Sequence, residues 1–475
     1  MNTVEYFKHL NTVPHGSGNT KLISDLCVQF AKEHNYDYKQ DDVNNVVIYV
    51  PATQGYETHE PVIIQGHMDM VCVKTPECTK DMSKEPIDII DDGNILRADK
   101  TSLGGDDTIA LAMAMALCGD ESSKHPAMEL VFTVDEETDM GGAKAFDANN
   151  LHSKRMLNLD SEVEGSFICG SAGSTLVIGA IPVKRESLGK VKYFNIAIDG
   201  LMGGHSGLEI TKKRANAIRL LARVIYGVSM KYPVGVCEMY GGVVDNAIPV
   251  IAEAVIAVPE ENADNAKRLA EKHEILFKAE FKEREPNLKV FVDEIEAPEN
   301  YIDPVCCADT KKIMRHISSV PDGLRNCFEE FPEIAKTSSN LGICNLTKDG
   351  ITYKSFVRSA VYEEREEVVE LIKKMAEHDG GVIKIAGENP EWPYNRDSKI
   401  AAVAAEAYRE LTGKEPELTV THGGLETGIF ASKIEDLDIV SIGPEIKEIH
   451  SPREEMEIAS VNRTYELVKR ILEKL

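Results

Sequence analysis

Histidines and acidic residues recur in this chain where apolar, strand-like runs end. His67 and Asp69 follow Val62 to Gln65, and Asp135, Glu136 and Glu137 follow Leu130 to Val134. Asp160 follows Met156 to Leu159, and His450 lies a short loop beyond Leu437 to Ile442. Asp106 and Asp107 sit in a Gly-Gly turn that opens the apolar run Ile109 to Cys118. Taken singly, each has an ordinary structural reading, such as a hydrogen-bonded surface pair, a solvated acidic loop or a helix cap. Together they carry more weight, because ligands in open α/β sheets bind beyond the carboxyl ends of the strands. If Asp69, Asp106, Glu136, Glu137 and Asp160 converge, their charges repel, and cations relieve that repulsion more fully than protons do. Oxygen and imidazole donors without cysteine suit zinc, manganese or cobalt. Two such ions roughly 3.5–4 Å apart, bridged by a carboxylate and a hydroxide, make a hydrolytic centre. A metal-bound water with a pKa of about 7 would be its nucleophile.

The elements that must position these residues alternate. Up to about residue 186, the runs Val46 to Val50, Val62 to Gln65, Leu130 to Val134 and Met156 to Leu159 read as strands, with Ile109 to Cys118 as a buried helix. Such alternation predicts an α/β domain with a mostly parallel mixed sheet flanked by helices. From residue 187 the character changes. Strands are expected at Val191 to Ile198, Ala252 to Val258, Leu288 to Val292 and Val382 to Ile385. Helices are expected at Thr211 to Tyr226, Ala263 to Phe281, Asp309 to Ser318 and Arg365 to Glu377, with a hairpin at Asp349-Gly350. This reads as an inserted α+β domain. A Pro-containing linker, Glu388 to Pro393, leads to helices at Ser398 to Leu411 and Val461 to Leu472 and strands at Leu418 to Val420 and Leu437 to Ile442. The expected organisation is a discontinuous catalytic domain, 1–186 and 387–475, around an inserted lid at 187–386.

Composition narrows the partners. An apolar content of 43% is that of a globular protein, and a net charge of -26 disfavours nucleic acid, which needs a basic surface. The longest apolar run, Ile109 to Cys118, is too short to span a bilayer, so no membrane partner is expected. Met1 to Leu10 lack the apolar core of a signal peptide, and the ten cysteines form no CxxC pair and read as reduced. Both features point to the cytoplasm.

Six segments occur in a telling order: Gly66-His67-Met68-Asp69-Met70, Leu103-Gly104-Gly105-Asp106-Asp107, Asp135-Glu136-Glu137, Asn158-Leu159-Asp160-Ser161-Glu162, Gly204-His205-Ser206-Gly207 and Ile449-His450-Ser451-Pro452. The set resembles the aminoacylase and carboxypeptidase-type co-catalytic zinc peptidases, and within them the aminoacyl-histidine dipeptidases (Xaa-His dipeptidase, peptidase D). It covers essentially the whole chain. The resemblance implies two divalent metal ions, zinc first, with Asp106 as the bridging carboxylate. His67 and Asp160 would complete one site, and Glu137 and His450 the other. It implies Glu136 as general base and Asp69 as the residue that fixes the His67 imidazole. Three carboxylate ligands against two dications leave +1, which a bridging hydroxide neutralises.

The resemblance also implies substrate contacts. His205 would help hold the scissile carbonyl oxygen, Asn246 and Arg358 would bind substrate, and Arg358 could pair with a free C-terminal carboxylate. A buried structural salt bridge is the competing reading of Arg358. Glu426, in His422-Gly423-Gly424-Leu425-Glu426, would contact the substrate amine. Thr108, Gly423 and Thr427 depart from the family's usual glycine, alanine and cysteine; none removes a ligand, but they loosen any claim of histidine preference. The expected function is therefore hydrolysis of dipeptides, Xaa-His among them, with homodimerisation through the lid as in such relatives. An N-acyl-amino-acid deacylase or tripeptidase is the runner-up, and a non-catalytic binding module is a third reading.

Overall fold

The apolar runs form strands whose burial follows their sequence. Val62–His67 and Met128–Thr133 are buried at every residue, so they read as continuous apolar segments rather than alternating ones. A computed structural model of the chain describes residues 1–297 and 302–475. It divides into two compact units, one made of Met1–Ser171, Tyr394–Val420 and Leu425–Leu475, the other of Ala172–Pro393 and Thr421–Gly424.

The first unit is built on an eight-stranded mixed sheet. Its strand order is Asp37–Gln40, Val46–Val50, Met128–Thr133, Val62–His67, Arg155–Asn158, Asp438–Ser441, Ser166–Ser171 and Glu417–Thr421. The middle of the sheet is parallel, Val62–His67 lying between Met128–Thr133 and Arg155–Asn158, with Asp438–Ser441 beyond. Asp37–Gln40 with Val46–Val50, Val46–Val50 with Met128–Thr133, and Asp438–Ser441 with Ser166–Ser171 pair antiparallel. The expected fold class is therefore present, and three of its four parallel strands, Val62–His67, Met128–Thr133 and Arg155–Asn158, end at or just before the histidine and the acids.

Helix Gly105–Gly119 is buried on every side from Thr108 to Leu117, which explains its unbroken apolar sequence. It packs against helix Thr3–Leu10 and strand Val62–His67. Helix Lys399–Thr412 starts at Ser398, whose side chain accepts from the Ala401 N–H, and stops at Gly413 at φ 69°. A small antiparallel sheet orders Ile446–Lys447, Glu455–Glu457, Ile95–Ala98 and Ile89–Asp91.

The second unit carries an antiparallel sheet in the order Lys289–Ile295, Val191–Asp199, Ala252–Pro259, Gly235–Gly241, Ala335–Leu346, Gly350–Ser359, Gly173–Pro182 and Val382–Asn389, with Gly323–Cys327 added beside Ala335–Leu346. Helices Ala217–Ser229, Ala263–Phe281, Cys307–Ser319 and Tyr362–His378 pack on it, and Ala217–Ser229 also packs on Ala263–Phe281 and Cys307–Ser319. This unit begins at Ala172 rather than 187. Gly173–Pro182 pairs along its length with Gly350–Ser359, a long-range partner that a lone apolar run does not announce. The helix expected from Thr211 starts at Ala217, because the Asn216 side chain accepts from the N–H groups of Ile218 and Arg219. No helix among the described residues is long and apolar enough to cross a membrane, and all ten cysteines are free.

Leu111, fully buried on helix Gly105–Gly119, sets a stability test. Leu111→Ala is expected to destabilise the first unit by about 2–5 kcal/mol. Denaturant unfolding of metal-stripped protein measures it, and an unchanged midpoint would contradict the packing described.

Candidate metal centre

His67 is the last residue of its strand, and its imidazole is 1% exposed. The helix that follows in the core approaches this strand end closely. A Cβ on Gly66 would lie 2.4 Å from the Ala110 Cβ and 2.5 Å from Asp107 Oδ2, so only glycine fits. Asp107 is buried there and accepts the His67 N–H at 3.1 Å. It is neither a metal-ligand candidate nor a solvent-facing cap. Asp106, beside it, keeps extended dihedrals (φ -82°, ψ 106°) within the start of the helix.

Asp106 presents one oxygen to each histidine. Its Oδ1 is 3.0 Å from His67 Nε2, and its Oδ2 is 3.3 Å from His450 Nε2. Asp160 Oδ1 lies 3.5 Å from His67 Nε2, and Glu137 Oε1 lies 2.9 Å from His450 Nε2. Donor atoms within 4.8 Å of one another accordingly form the groups His67–Asp106–Asp160 and Asp106–Glu137–His450, and also His67–Glu136–Glu137. Of the sequence-predicted residues, His67, Asp106, Glu136, Glu137, Asp160 and His450 are thus brought together.

Asp69 holds two neighbours. Its backbone carbonyl accepts from His67 Nδ1 at 2.9 Å, with its carboxylate farther off at 3.5 Å. That carboxylate instead accepts the N–H groups of Glu136 at 3.0 Å and Glu137 at 3.3 Å, and the Ser17 hydroxyl at 2.8 Å. With Nδ1 donating to a carbonyl, His67 offers Nε2 toward the carboxylates, the orientation a metal ligand needs.

The electrostatics of the metal-free protein follow from this crowding. Burial pulls the His67 imidazole down, but Asp160, Asp106 and Asp69 outweigh it and hold the pKa well above its ordinary value. Hydrogen bonds donated to Asp106 and Glu137 push His450 up to about 10. Asp106 is held below the usual carboxylate range, because its bonds to His450 and His67 overcome burial. Burial, then nearby negative charge, raises Glu136 well above its ordinary value, and lifts Glu162 to about 8 through Asp106 and Asp160. The donor set therefore fits cations. It is cysteine-free, shares one carboxylate between two groups, and carries more negative charge than its histidines can offset.

Glu426 is fully buried. Its Oε2 accepts from Gln65 Nε2 at 2.7 Å and Thr133 Oγ1 at 2.6 Å, while Oε1 has no protein partner; burial lifts its pKa to about 7.

The other substrate candidates lie in the second unit. His205 Nδ1 accepts the Leu208 N–H at 3.1 Å, and burial, then Arg358, lowers the ring's pKa. The neutral ring therefore carries its hydrogen on Nε2. Ser206 N–H donates to the carbonyl of Asn246, whose loop is held by Asn340 through the carbonyls of Asp245 and Ala247. Arg358 is 7% exposed, lies 4.5 Å from the Phe356 ring, and has no partner for Nε. No carboxylate among the described residues forms an ion pair with it, so the structural salt bridge weighed from sequence is absent. Ser338, its cross-strand neighbour, meets His422 Nε2 at 2.7 Å, and burial, then Arg358 and His205, pushes His422 down to about 3.

Sequence reasoning passed over Ser17, Glu162 and Ser338, and also Glu454, whose carboxylate accepts the N–H groups of Leu103, Gly104 and Gly105 just before Asp106. Ser17 and Glu454 sit in loops that follow no central strand, and Ser338 lies within one. Glu162, only two residues past Asp160, could have been found.

The model of peptidase family M20/M25/M40 matches residues 63–474. The chain belongs to this family. A cytosol non-specific dipeptidase of Escherichia coli (strain K12) is 31% identical over 472 residues, 99% of this chain and 97% of that protein. The structure of an aminoacylhistidine dipeptidase from Vibrio alginolyticus superposes with a TM-score of 0.91 at 30% identity, over 100% of this chain and 96% of that one. The resemblance drawn from the ordered motifs is thus met. Aminopeptidase PepT of Bacillus cereus, at TM-score 0.58 and 17% identity over 100% and 98% of the two chains, shares the fold alone.

For this M20-family peptidase the raised histidines set the sign of the metal equilibrium. Neighbouring carboxylates raise both His67 and His450, and a cation held by either ring would displace the proton there. Zinc binding to stripped protein should therefore release protons, about one per histidine ligand, and affinity should rise with pH. Calorimetry in two buffers of different ionisation enthalpy measures this; identical heats would contradict it.

Proposed function

We propose that this protein is a metal-dependent dipeptidase that cleaves dipeptides with free ends, Xaa-His among them. The observation that carries the reading is Asp106, whose two oxygens face two separate histidine–carboxylate groups. His67, Asp106 and Asp160 would hold one cation and Asp106, Glu137 and His450 the other. Zinc is the first choice, with manganese or cobalt suited to the same donors. When bound, the pair would polarise the scissile carbonyl and make water acidic enough to attack at neutral pH.

The chain's own residues supply the rest. Glu136 takes a proton from the attacking water and returns it to the leaving amine. Asp69 holds the Glu136–Glu137 turn by its N–H groups and the His67 ring by its carbonyl, so base and ligand keep a fixed relation. His205, neutral with hydrogen on Nε2, is assigned the carbonyl oxygen in the transition state, with Asn246 beside it as a substrate contact. Arg358 is assigned the substrate's free carboxylate. A buried guanidinium without an acidic partner is costly, and a bidentate carboxylate offsets that cost. Glu426, with Oε1 unpartnered, is assigned the substrate amine. Recognition of both ends favours dipeptides over N-acyl amino acids. A cytoplasmic location, which the Escherichia coli relative's name gives for that protein, and a homodimer through the inserted unit, acting as a lid, complete the proposal.

Hydrolysis of a dipeptide panel, with end-blocked controls, by stripped protein with and without zinc tests the reading. Zinc-restored cleavage that needs both free ends is expected, and preference for acylated amino acids would overturn it. Glu136→Gln should keep both metals yet lower kcat by about 10²–10⁴-fold; turnover near wild type would remove Glu136 as the base. Arg358→Ala should cut kcat/KM for dipeptides by about 10–100-fold, and an unchanged value would end its assignment.

A further inference from the structure

Glu454 lies four residues beyond His450 in sequence and is 3% exposed, although its neighbour Arg453 is exposed. Its carboxylate receives three consecutive backbone N–H groups: Leu103 at 2.8 Å and Gly104 at 3.2 Å on Oε2, and Gly105 at 2.7 Å on Oε1. Gly104, at φ 73°, turns the chain so that these groups converge on one anion. Asp106 is the next residue. Because Asp106 and Asp107 depart from helical dihedrals, the three N–H groups belong to the loop that presents Asp106 rather than to the regular helix behind it.

The two loops also spring from one small sheet. Glu455–Glu457 pairs antiparallel with Ile95–Ala98, so the chain leaving His450 runs beside the strand that leads to the Asp106 loop. Glu454 ties the loops together where they leave that sheet. A closed circuit results: Glu454 grips the Leu103–Gly105 backbone, Asp106 follows it, Asp106 faces His450, and His450 leads back to Glu454.

We propose that Glu454 is a positioning residue that sets the spacing of Asp106 and His450 for cation binding. This rests on the two-cation reading of the site. A carboxylate suits the task because both its oxygens accept; an amide must turn a donating NH₂ toward at least one of the three N–H groups.

Calorimetric zinc titration of metal-stripped wild type and Glu454→Gln tests the proposal, with thermal unfolding of both stripped proteins alongside. The variant is expected to bind zinc about 10–100-fold more weakly and to lose kcat rather than gain KM on any substrate the wild type cleaves. Wild-type zinc affinity in a folded variant would overturn the proposal, even if its stripped form melted earlier, since that is all a structural cap would do. If Glu454→Gln does not fold, Glu454→Asp, which keeps the charge on a shorter arm, is measured with the same expected weakening and the same overturning result. If the two-cation reading itself is wrong, the wild type will fail to bind two zinc ions, an outcome separate from equal binding by both proteins.

Discussion

Carboxylates shut away from bulk water must be neutralised, and in this protein that requirement organises the ends of the central strands. Asp106, Asp107, Glu136, Glu137, Asp160 and Glu162 crowd around the imidazoles of His67 and His450. Part of that charge is met by protons: neighbouring carboxylates raise His67 and His450, while burial and mutual repulsion push Glu136, Asp107 and Glu162 toward the neutral acid. Protons answer the need only in part, because each neutralises one group. Dications held by these groups would answer it for several at once.

Backbone N–H groups do the complementary work. Asp107 holds the end of the His67 strand, Asp69 the Glu136–Glu137 turn and Glu454 the Asp106 loop, each by accepting backbone N–H from chain that carries a candidate ligand. The acids near the centre thus divide into those that present oxygens to one another and those that spend theirs on the backbone. The second kind fixes loops that have no regular hydrogen bonding of their own, which lets irregular chain place donors within a few tenths of an ångström. Gly66 serves the same end by removing the one methyl that would separate strand from helix.

Much of this was legible in the sequence because a parallel strand buried on both faces is a continuous apolar run, and its end is marked by the first polar residues. Val62 to Gln65 before His67, and Met156 to Leu159 before Asp160, gave both the strands and the ligand candidates. His450 was harder, since a loop separates it from Asp438–Ser441, and the ordered motif set rather than local pattern pointed to it. What stayed hidden was tertiary. Gly173–Pro182 reads like any apolar strand, and only its pairing with Gly350–Ser359 assigns it to the second unit. Glu454 reads as one more surface acid in a charged stretch until the Leu103–Gly105 backbone is seen around it. Arg358 could equally have been a structural ion pair, and its missing acidic partner is a fact about space, not about spacing.

The second unit holds a contrasting environment, with Arg358 buried near His205 and His422, the Asp245 charge acting on it, and no ion pair to it among the described residues. Everything rests on the claim that Asp106 is shared between two cations. The most direct measurement is anomalous diffraction at the zinc edge from crystals of zinc-loaded protein. Two peaks are expected, roughly 3.5–4 Å apart, one against His67 and Asp160 and one against Glu137 and His450, with Asp106 reaching both. A single peak, or peaks that leave Asp106 unligated, would contradict it.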